Sequence, residues 1–323
     1  MRQPIIPNDL APLVACSNTS RGCVLAVIVG VEGPSYRPLG AMMTVFQDGG
    51  LVGTLSSGCV EADIKLHALD CLRTGEPKLV RYGRGSPYLD IVLPCGGGLQ
   101  IILLPEPDQD VIEDMLKTVV TDRRTCLYDI DFGTGAIRLN RDGEVPPAAY
   151  RGKILPELEF LIFGKGPELT TFAALAKSAN YQTTLLSPDA DTLEQARSIG
   201  CKAIALTNPE IPKHIKADRR TAIILFFHDH DWEPPILRYA LLTPAFYVGA
   251  QGSKRTRDNR LVALRAQGVA QVTLERLRGP IGLIGSARDA RTLAISVLAE
   301  VISESNDVKT SHSGVTSRLE LSN

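Results

Sequence analysis

Hydrophobic residues follow two different spacings in the first part of the chain, which predicts a mixture of strands and helices. Residues 24–29 form a continuous apolar and β-branched run, typical of a buried strand. Two more strand-like runs, 41–46 and 51–55, flank Asp48-Gly49-Gly50, which is a hairpin signal. After them the apolar residues fall four apart, as on one face of a helix that opens at Cys59: Val60, Ile64, Ala68 and Leu72.

The same patterns continue to residue 141, so we predict an N-terminal mixed α/β domain over residues 1–141. Its remaining elements are strands at 78–82, 89–93 and 98–104, a helix at 111–120 and a hairpin through Gly133-Thr134-Gly135. Residues 142–158 contain Pro146-Pro147 and lose this periodicity, which predicts a linker.

From residue 159 onwards strands and helices alternate, which predicts a Rossmann-like, doubly wound parallel sheet over residues 159–304. The strands are expected at 159–163, 182–186, 203–206, 221–227 and 246–249, and the helices at 169–179, 191–199, 235–242, 254–266, near Leu274 and at 289–303. The polar tail, 305–323, is predicted to be disordered.

Composition narrows the classes of function. The chain has 323 residues, 44% of them hydrophobic and 22% charged, and a net charge of −1, which argues against a nucleic-acid-binding protein. No apolar run approaches the roughly 20 residues of a membrane span. The N-terminus lacks the apolar stretch of a signal peptide, so we expect a cytoplasmic protein. Seven scattered cysteines without a CxxC pair argue against a disulfide framework and a structural zinc site.

Cys59 is the first candidate functional residue. It follows Ser57-Gly58 in a strand–turn–helix pattern, where unpaired amides and the helix dipole favour a thiolate. The alternative is that Cys59 is a small buried hydrophobic residue.

Two further loops of this domain carry candidate residues. Cys95 precedes three glycines between two predicted strands, so the backbone there can approach a ligand closely, or the loop is plain. The loop 33–41 contains Arg37 and Gly40. Prolines make this loop rigid, and Arg37 presents a fork to a phosphate or carboxylate unless it is an ordinary surface arginine.

In the second domain, Gly164-Lys165-Gly166 contains the first two glycines of a dinucleotide-binding loop. Leu169 stands where a third glycine is usual, and Ser187 stands where the ribose-binding acid is expected. The motif therefore predicts the fold and leaves nucleotide binding open.

Two polar segments follow strands of this domain. His228-Asp229-His230-Asp231 follows the predicted strand 221–227, and is either a metal site or a polar loop. Ser253 opens a helix as a possible cap, and with Lys254 and Arg255 it forms either an anion site or an ordinary solvated helix start.

Several of these segments together resemble the XdhC/CoxI family, accessory proteins for the maturation of xanthine dehydrogenase and related molybdenum hydroxylases. The resemblance extends from Leu25 to Val301. It rests on the segments 33–41, 53–61, 95–97, 246–255, 279–283 and 294–300. The chain differs from the family pattern at Ser57, where glycine is usual, at Pro167, where histidine is common, and at Ser187.

The resemblance implies a chaperone that binds the molybdenum cofactor, molybdopterin, assists exchange of a terminal oxygen for sulfur, and passes the cofactor to a xanthine dehydrogenase-like client. Cys59 would contact the cofactor, and the loop of Arg37 and the amides from Gly58 to Glu61 would hold its anionic parts. Partners would be the client, a cysteine desulfurase and a second copy in a homodimer. The alternative is an NAD(P)-dependent oxidoreductase acting on a small molecule, with Cys59 structural, and the activity of the chain as an enzyme is left open. A scaffold that only docks a partner is a third alternative.

Overall fold

The computed structural model describes residues 8–19, 21–56, 58, 60–83, 86, 96–140, 149–227 and 232–310. The chain divides into two compact units, and the boundary between them falls between Pro156 and Glu157. The fold class predicted from the sequence, a mixed α/β unit followed by a Rossmann-like unit, is confirmed. Within the described part of the chain, no helix is both long and apolar enough to cross a membrane.

The first unit is built on a five-stranded antiparallel sheet in the order β3-β2-β1-β5-β4. The strands are β1 (Cys23–Glu32), β2 (Met42–Phe46), β3 (Leu51–Gly53), β4 (Lys78–Gly83) and β5 (Gly98–Pro105). The first seven residues of the central strand β1 are apolar and buried, as expected for a strand with both faces covered. The predicted hairpin through Asp48-Gly49-Gly50 is confirmed, whereas the predicted strand 89–93 lies outside the described residues.

Helices cover the two faces of this sheet. On one face, helix α2 (Glu61–Thr74) packs Ile64 and Ala68 against Ala26 and Ile28 of β1. On the other face lie α1 (Ala11–Ser17) and α3 (Gln109–Leu116), which is extended by a π-helical turn at Lys117–Thr121. Helix α2 begins at Glu61, so the prediction that it opens at Cys59 was wrong by two residues.

A second, three-stranded antiparallel sheet completes this unit, with β6 (Cys126–Asp131) between β7 (Ile137–Leu139) and β8 (Ala149–Ile154). The predicted hairpin through Gly133-Thr134-Gly135 joins β6 to β7. The predicted linker, 142–158, was wrong where β8 lies, because those residues pair with β6 in register from Ala149 opposite Asp131 to Ile154 opposite Cys126. The sequence of this short strand, Ala149-Tyr150-Arg151-Gly152-Lys153-Ile154, lacks the regular apolar alternation that predicts a strand, so it resembles a polar connection.

The second unit is a six-stranded parallel sheet in the order β11-β10-β9-β12-β13-β14. Its strands are β9 (Glu159–Gly164), β10 (Gln182–Ser187), β11 (Lys202–Ala205), β12 (Thr221–Phe226), β13 (Tyr247–Ala250) and β14 (Leu277–Arg278). Counted within the unit, the order is 3-2-1-4-5-6, that of the dinucleotide-binding Rossmann fold, with the switch in strand order between β9 and β12.

The described residues of this unit form six helices beside the sheet: α4 (Pro167–Ser178), α5 (Ala190–Ser198), α6 (Glu233–Leu242), α7 (Lys254–Ala266), α8 (Gln271–Leu274) and α9 (Ala290–Thr310). Apolar clusters fill both faces, one around Phe160 and Phe172, the other around Phe163 and Ile236. Helix α9 continues to Thr310, so the predicted disorder from residue 305 was wrong for its first six residues. Residues 311–323 lie outside the described part.

Candidate functional site

Antiparallel pairing brings three predicted functional segments to one edge of the first sheet. Strand β1 ends opposite the start of β5, with Glu32 beside Gly98. Strand β2 starts, and β3 ends, at this same edge, where Met43 pairs with Gly53. The loop after β1, the turn after β3 and the glycines before β5 therefore emerge together, although they are far apart in sequence.

Gly97 lies in direct contact with the loop that follows β1. A Cβ atom at Gly97 would lie 2.2 Å from the carbonyl oxygen of Pro34 and 2.8 Å from that of Glu32. No side chain fits such an approach, so the glycine before β5 is required for the loop 33–41 to pack here. We predicted that the glycines after Cys95 let the backbone approach a ligand closely. In the structure Gly97 instead approaches the loop 33–41. Cys95 itself lies outside the described residues.

Arg37 projects from this loop and is held by a single described ion pair. Its Nη2 lies 2.6 Å from Oδ1 of Asp9, which is well exposed, while the arginine side chain is 27% exposed. Its Nε is buried and has no hydrogen-bond partner among the described residues. Gly40 turns the chain with φ +84°, and its amide donates to the carbonyl of Ile28 at 2.8 Å.

The carboxylate of Glu61 lies at the centre of the turn between β3 and α2. It is buried, and described donors on both sides of Cys59 point at it. They are Thr54 Oγ1 at 2.6 Å, Ser56 Oγ at 2.6 Å, and the amides of Leu55 at 3.0 Å, Ser56 at 2.8 Å, Gly58 at 2.8 Å and Val60 at 3.2 Å. One side chain therefore holds the whole turn.

These contacts determine the charge of Glu61. Burial by itself would raise the pKa of this carboxyl group. The hydrogen bonds from Ser56 and Thr54, and from the amides of Ser56 and Leu55, outweigh burial and lower the pKa to about 2. The turn is thus built around a permanent negative charge at neutral pH.

The negative charge changes the predicted role of the turn. We predicted that the amides from Gly58 to Glu61 hold the anionic part of a ligand. The structure shows instead that the amides of Gly58 and Val60 donate to Glu61, so the protein supplies its own anion. Glu61 itself acts as a positioning residue in this structure. Ser57 and Cys59 lie outside the described residues, between the groups that Glu61 holds.

The glycine loop of the second unit lies at the end of β9. A Cβ atom at Gly164 would lie 2.5 Å from the carbonyl oxygen of Phe226 on β12, so this glycine allows the two strands to approach. Gly166 precedes α4 with φ +89°, and its amide donates to the hydroxyl of Thr192 on α5 at 3.1 Å. Leu169, at the position of the usual third glycine, is fully buried in the core.

The end of the second strand of this unit also differs from a dinucleotide site. Ser187 is fully buried, and its hydroxyl accepts a hydrogen bond from the amide of Asp189 at 3.1 Å. Asp189 caps α5 by accepting from the amide of Thr192 at 2.8 Å. The nearest acidic side chain in the sequence after β10 is therefore engaged in capping a helix.

Helix α7 begins as predicted, with Ser253 accepting a hydrogen bond from the amide of Thr256 at 3.2 Å. Lys254 and Arg255 lie on the exposed first turn. Sequence reasoning missed the buried pair beneath this turn, in which Arg260 Nε donates to Glu233 Oε2 at 2.7 Å. Arg260 also donates to the carbonyl of Gln251, which holds the loop before α7. No pattern in the sequence predicts a contact between Glu233 and Arg260, which lie 27 residues apart.

His228-Asp229-His230-Asp231, the candidate metal segment, lies outside the described residues. Among the residues that the structure does describe, no group of three or more His, Cys, Asp or Glu side chains is arranged to hold a metal ion.

Comparison with known proteins connects both units to one family. The sequence profile described as "XdhC and CoxI family" matches residues 16–83, and that described as "XdhC Rossmann domain" matches residues 160–301. A protein of Escherichia coli K12 named molybdenum cofactor insertion chaperone PaoD is 32% identical over 293 residues, covering 88% of this chain and 84% of PaoD. This chain belongs to the XdhC and CoxI family.

A further relative and a solved structure extend the similarity over most of the chain. A Bacillus subtilis 168 protein, whose name describes it as part of a probable xanthine dehydrogenase, is 24% identical, over 86% of this chain and 92% of its own. A crystal structure from Bacillus halodurans, described as a xanthine dehydrogenase, has a TM-score of 0.75 at 22% identity. The match covers 94% of this chain and 97% of that one, and it supports the XdhC-type fold.

Proposed function

We propose that this XdhC-type protein binds the molybdenum cofactor in its first unit and delivers it to a molybdenum hydroxylase of the xanthine dehydrogenase type. The name of its relative PaoD supports a role in cofactor insertion. In this proposal the cofactor is cargo, held for a time and then released.

The observation that carries the proposal is the turn organised by Glu61. Its carboxylate holds the amides of Gly58 and Val60, at 2.8 and 3.2 Å, on either side of Cys59. Glu61 thus fixes the described residue on each side of Cys59. A thiolate is a soft ligand suited to a thiophilic metal centre. We propose Cys59 as the contact to the molybdenum end of the cargo and Glu61 as its positioning residue.

The phosphate end of the cargo needs a cation, because Glu61 makes its own turn negative. Arg37 lies in a loop at the same edge of the sheet, with a buried Nε that has no partner among the described residues. Its ion pair with Asp9 involves an exposed carboxylate, which a dianionic phosphate can displace. We therefore assign the phosphate to Arg37 and the loop around Gly40.

The proposed sulfuration and delivery steps rest on the assignment of the cofactor to Cys59 and Arg37. We propose that the protein holds the cofactor while a cysteine desulfurase supplies the sulfur that replaces a terminal oxygen. The client then accepts the sulfurated cofactor. The homodimer and the cofactor-binding roles of Cys95, Ser57, Ser253, Lys254 and Arg255 remain predictions.

An NAD(P)-dependent oxidoreductase is the second candidate, favoured by the strand order of the second unit. The amide of Gly166 already donates to Thr192, and Asp189 already caps α5. These contacts occupy groups that a bound dinucleotide would use, so Gly164 and Gly166 support the fold more directly than they support NAD(P) binding. Calorimetric titration with NAD and NADP tests this: we expect no saturable binding.

Cofactor retention is the primary test. The purified protein is mixed anaerobically with molybdenum cofactor released from a molybdenum enzyme, separated by gel filtration, and assayed by the fluorescence of the oxidised pterin. The wild type should retain pterin, Cys59→Ala should lose it, and the matched control Cys71→Ala, at a buried cysteine of the same unit, should retain it.

A second assay separates binding from delivery. The loaded wild-type protein should restore activity to a cofactor-free hydroxylase of the xanthine dehydrogenase type, and loaded Cys71→Ala should do the same. Retention of pterin by Cys59→Ala at the wild-type level contradicts the role of Cys59. Absence of retention by the wild type, with docking to the hydroxylase intact, would instead favour a scaffold.

A further inference from the structure

A pair of cysteines lies outside the candidate site, in the first unit. The Sγ atoms of Cys16 and Cys23 are 3.2 Å apart, and both side chains are fully buried. Cys16 belongs to α1 and Cys23 is the first residue of β1, so the pair connects a helix to the central strand of the sheet. Nothing in the proposed handling of the cofactor uses these two thiols.

The two thiols are chemically different because they share a hydrogen bond. The hydrogen bond from Cys16 lowers the pKa of Cys23, against the opposing effects of burial and of Glu106. The same hydrogen bond, together with burial, raises the pKa of Cys16. The shared hydrogen bond favours a thiolate at Cys23, and the 3.2 Å separation places the Cys16 sulfur directly beside it.

A cavity lies next to the segments that carry the pair. A cavity of about 370 Å³ is lined by Ala15, which precedes Cys16, and by Phe46, which pairs with Cys23 across the sheet. Asn18 and Arg21 of the exposed connection between the two cysteines also line this cavity. The cavity thus borders residues adjacent to both cysteines in sequence or across the sheet.

We propose that Cys16 and Cys23 are a reversible disulfide site oxidised by hydroperoxides. The Cys23 thiolate attacks one peroxide oxygen, the O–O bond breaks, and the leaving hydroxide takes up a proton to form water. Cys16 sulfur then attacks the Cys23 sulfenic acid, an S–S bond forms, and a second water leaves. The two thiols lose two electrons in total, and one peroxide is reduced to two waters.

The geometry requires little rearrangement for this reaction. The sulfur atoms have to approach from 3.2 Å to the S–S bond length of about 2.05 Å. The connection between α1 and β1 is short and exposed at Asn18 and Arg21, so it can absorb the shift. The product covalently joins α1 to β1 and makes separation of the helix from the sheet more difficult.

Peptide mapping tests the proposal on the wild-type protein. After treatment with hydrogen peroxide and alkylation of the remaining thiols, digestion with trypsin and a glutamate-specific protease gives one peptide that ends at Arg21 and another from Gly22 to Glu32. We expect these two peptides as one species, lighter by two hydrogen atoms than their sum, and separated again by dithiothreitol. The cut at Glu32 separates Cys23 from Cys59.

Cysteine variants then test which residues form the linked peptides. Cys16→Ala and Cys23→Ala should each abolish the linked species, and Cys71→Ala, at a buried cysteine without a described thiol neighbour, should leave it intact. Oxidised wild type should melt at a higher temperature than the reduced protein. The proposal is overturned if both thiols stay alkylatable under peroxide, if either forms only sulfinic or sulfonic acid, or if either links to another cysteine.

This result is independent of the proposed function. Cys23 opens β1, and the loop that carries Arg37 returns to this strand at Ile28, five residues or about 17 Å further along. We therefore expect the oxidised protein to retain pterin as the reduced protein does. Loss of pterin retention in the Cys59→Ala variant, with the linked peptides unchanged, would distinguish the two sites.

Discussion

The turns before α2 and before α4 have the same local pattern, a strand followed by a glycine turn and a helix, but their amides are satisfied differently. In the first turn the acceptor is the carboxylate of Glu61, five residues from Ser56. In the second it is the hydroxyl of Thr192, 26 residues from Gly166. The acceptor in the first turn is thus a nearby charged carboxylate, whereas the acceptor in the second turn is a neutral hydroxyl on a neighbouring helix.

The difference shows why a strand–turn–helix pattern does not by itself indicate an anion site. Amides at such a turn bind a ligand only where the protein has not supplied an acceptor. In the XdhC-type turn of the first unit the protein supplies a full negative charge, so in our proposal the anionic part of the cargo is held by a cationic side chain, Arg37, instead of by these amides. The predictions below test this contrast, in order of decreasing effect.

Removing the charge of Glu61 should have the largest effect. The pKa of this group falls from its ordinary value of 4.5 to about 2 in the folded protein, which corresponds to about 3 kcal/mol of stability. We expect Glu61→Gln to unfold more easily by about this amount at pH 7, measured by calorimetry. Glu113→Gln, at an exposed position of the same unit, is the matched control and should differ little.

The pH dependence of this effect has a definite sign. Because the folded pKa of Glu61 is the lower one, its contribution is complete above pH 4.5 and is lost as the pH falls towards 2. The stability difference between wild type and Glu61→Gln should therefore shrink over that range. A difference that stays constant from pH 7 to pH 2 would contradict the assignment.

Gly97→Ala should have the next largest effect, because its Cβ atom would meet the Pro34 carbonyl oxygen at 2.2 Å. Overpacking of this kind costs about 1–3 kcal/mol. We expect lower stability in calorimetry and lower pterin retention, since the loop of Arg37 is displaced. In the control Gly285→Ala, the new Cβ atom has no neighbour within 4 Å. Equal stability of the two variants would show that the loop yields without cost.

Thr192→Val should have a smaller effect, confined to the second turn. It removes the hydroxyl that accepts from the amide of Gly166 at 3.1 Å. A partly buried amide left without its partner costs about 1–2 kcal/mol. We expect faster hydrogen exchange at Gly166 and unchanged pterin retention. Thr118→Val, in the π-helical turn after α3, is the control, and a loss of retention in Thr192→Val alone would connect the second unit to the cargo.

Asp9→Asn should have the smallest effect on stability, because exposed ion pairs contribute about 0.2–1 kcal/mol. The variant releases Arg37 from a carboxylate 2.6 Å away. We expect an unchanged melting temperature and slower release of pterin in a dilution assay. The control Asp48→Asn breaks another ion pair of the same unit, with Arg21 at 2.7 Å, in which both side chains are more than half exposed. If Asp9→Asn releases pterin as the wild type does, Asp9 does not compete with the cargo for Arg37.

Local patterns predicted the elements well where periodicity is strong. The strand β1 and the hairpin after it, the helix α7 and its Ser253 cap, and the alternation of the second unit are all confirmed. Strand β8 was missed because its short, half-exposed sequence resembles a linker. The end of α9 was missed because its polar last turns resemble a disordered tail.

The amino-acid sequence by itself determined the order and type of most elements, the family, and the loops on which function was sought. Spacing along the chain is sufficient for this, because helices and strands repeat over a few residues. Only the tertiary structure decided that the loop of Arg37 packs on Gly97 and that Arg260 pairs with Glu233. It also decided that the carboxylate of Glu61, and not a ligand, accepts the hydrogen bonds from the amides of its turn. The partners of polar groups depend on which distant segments the topology brings together, and periodicity carries no information on that.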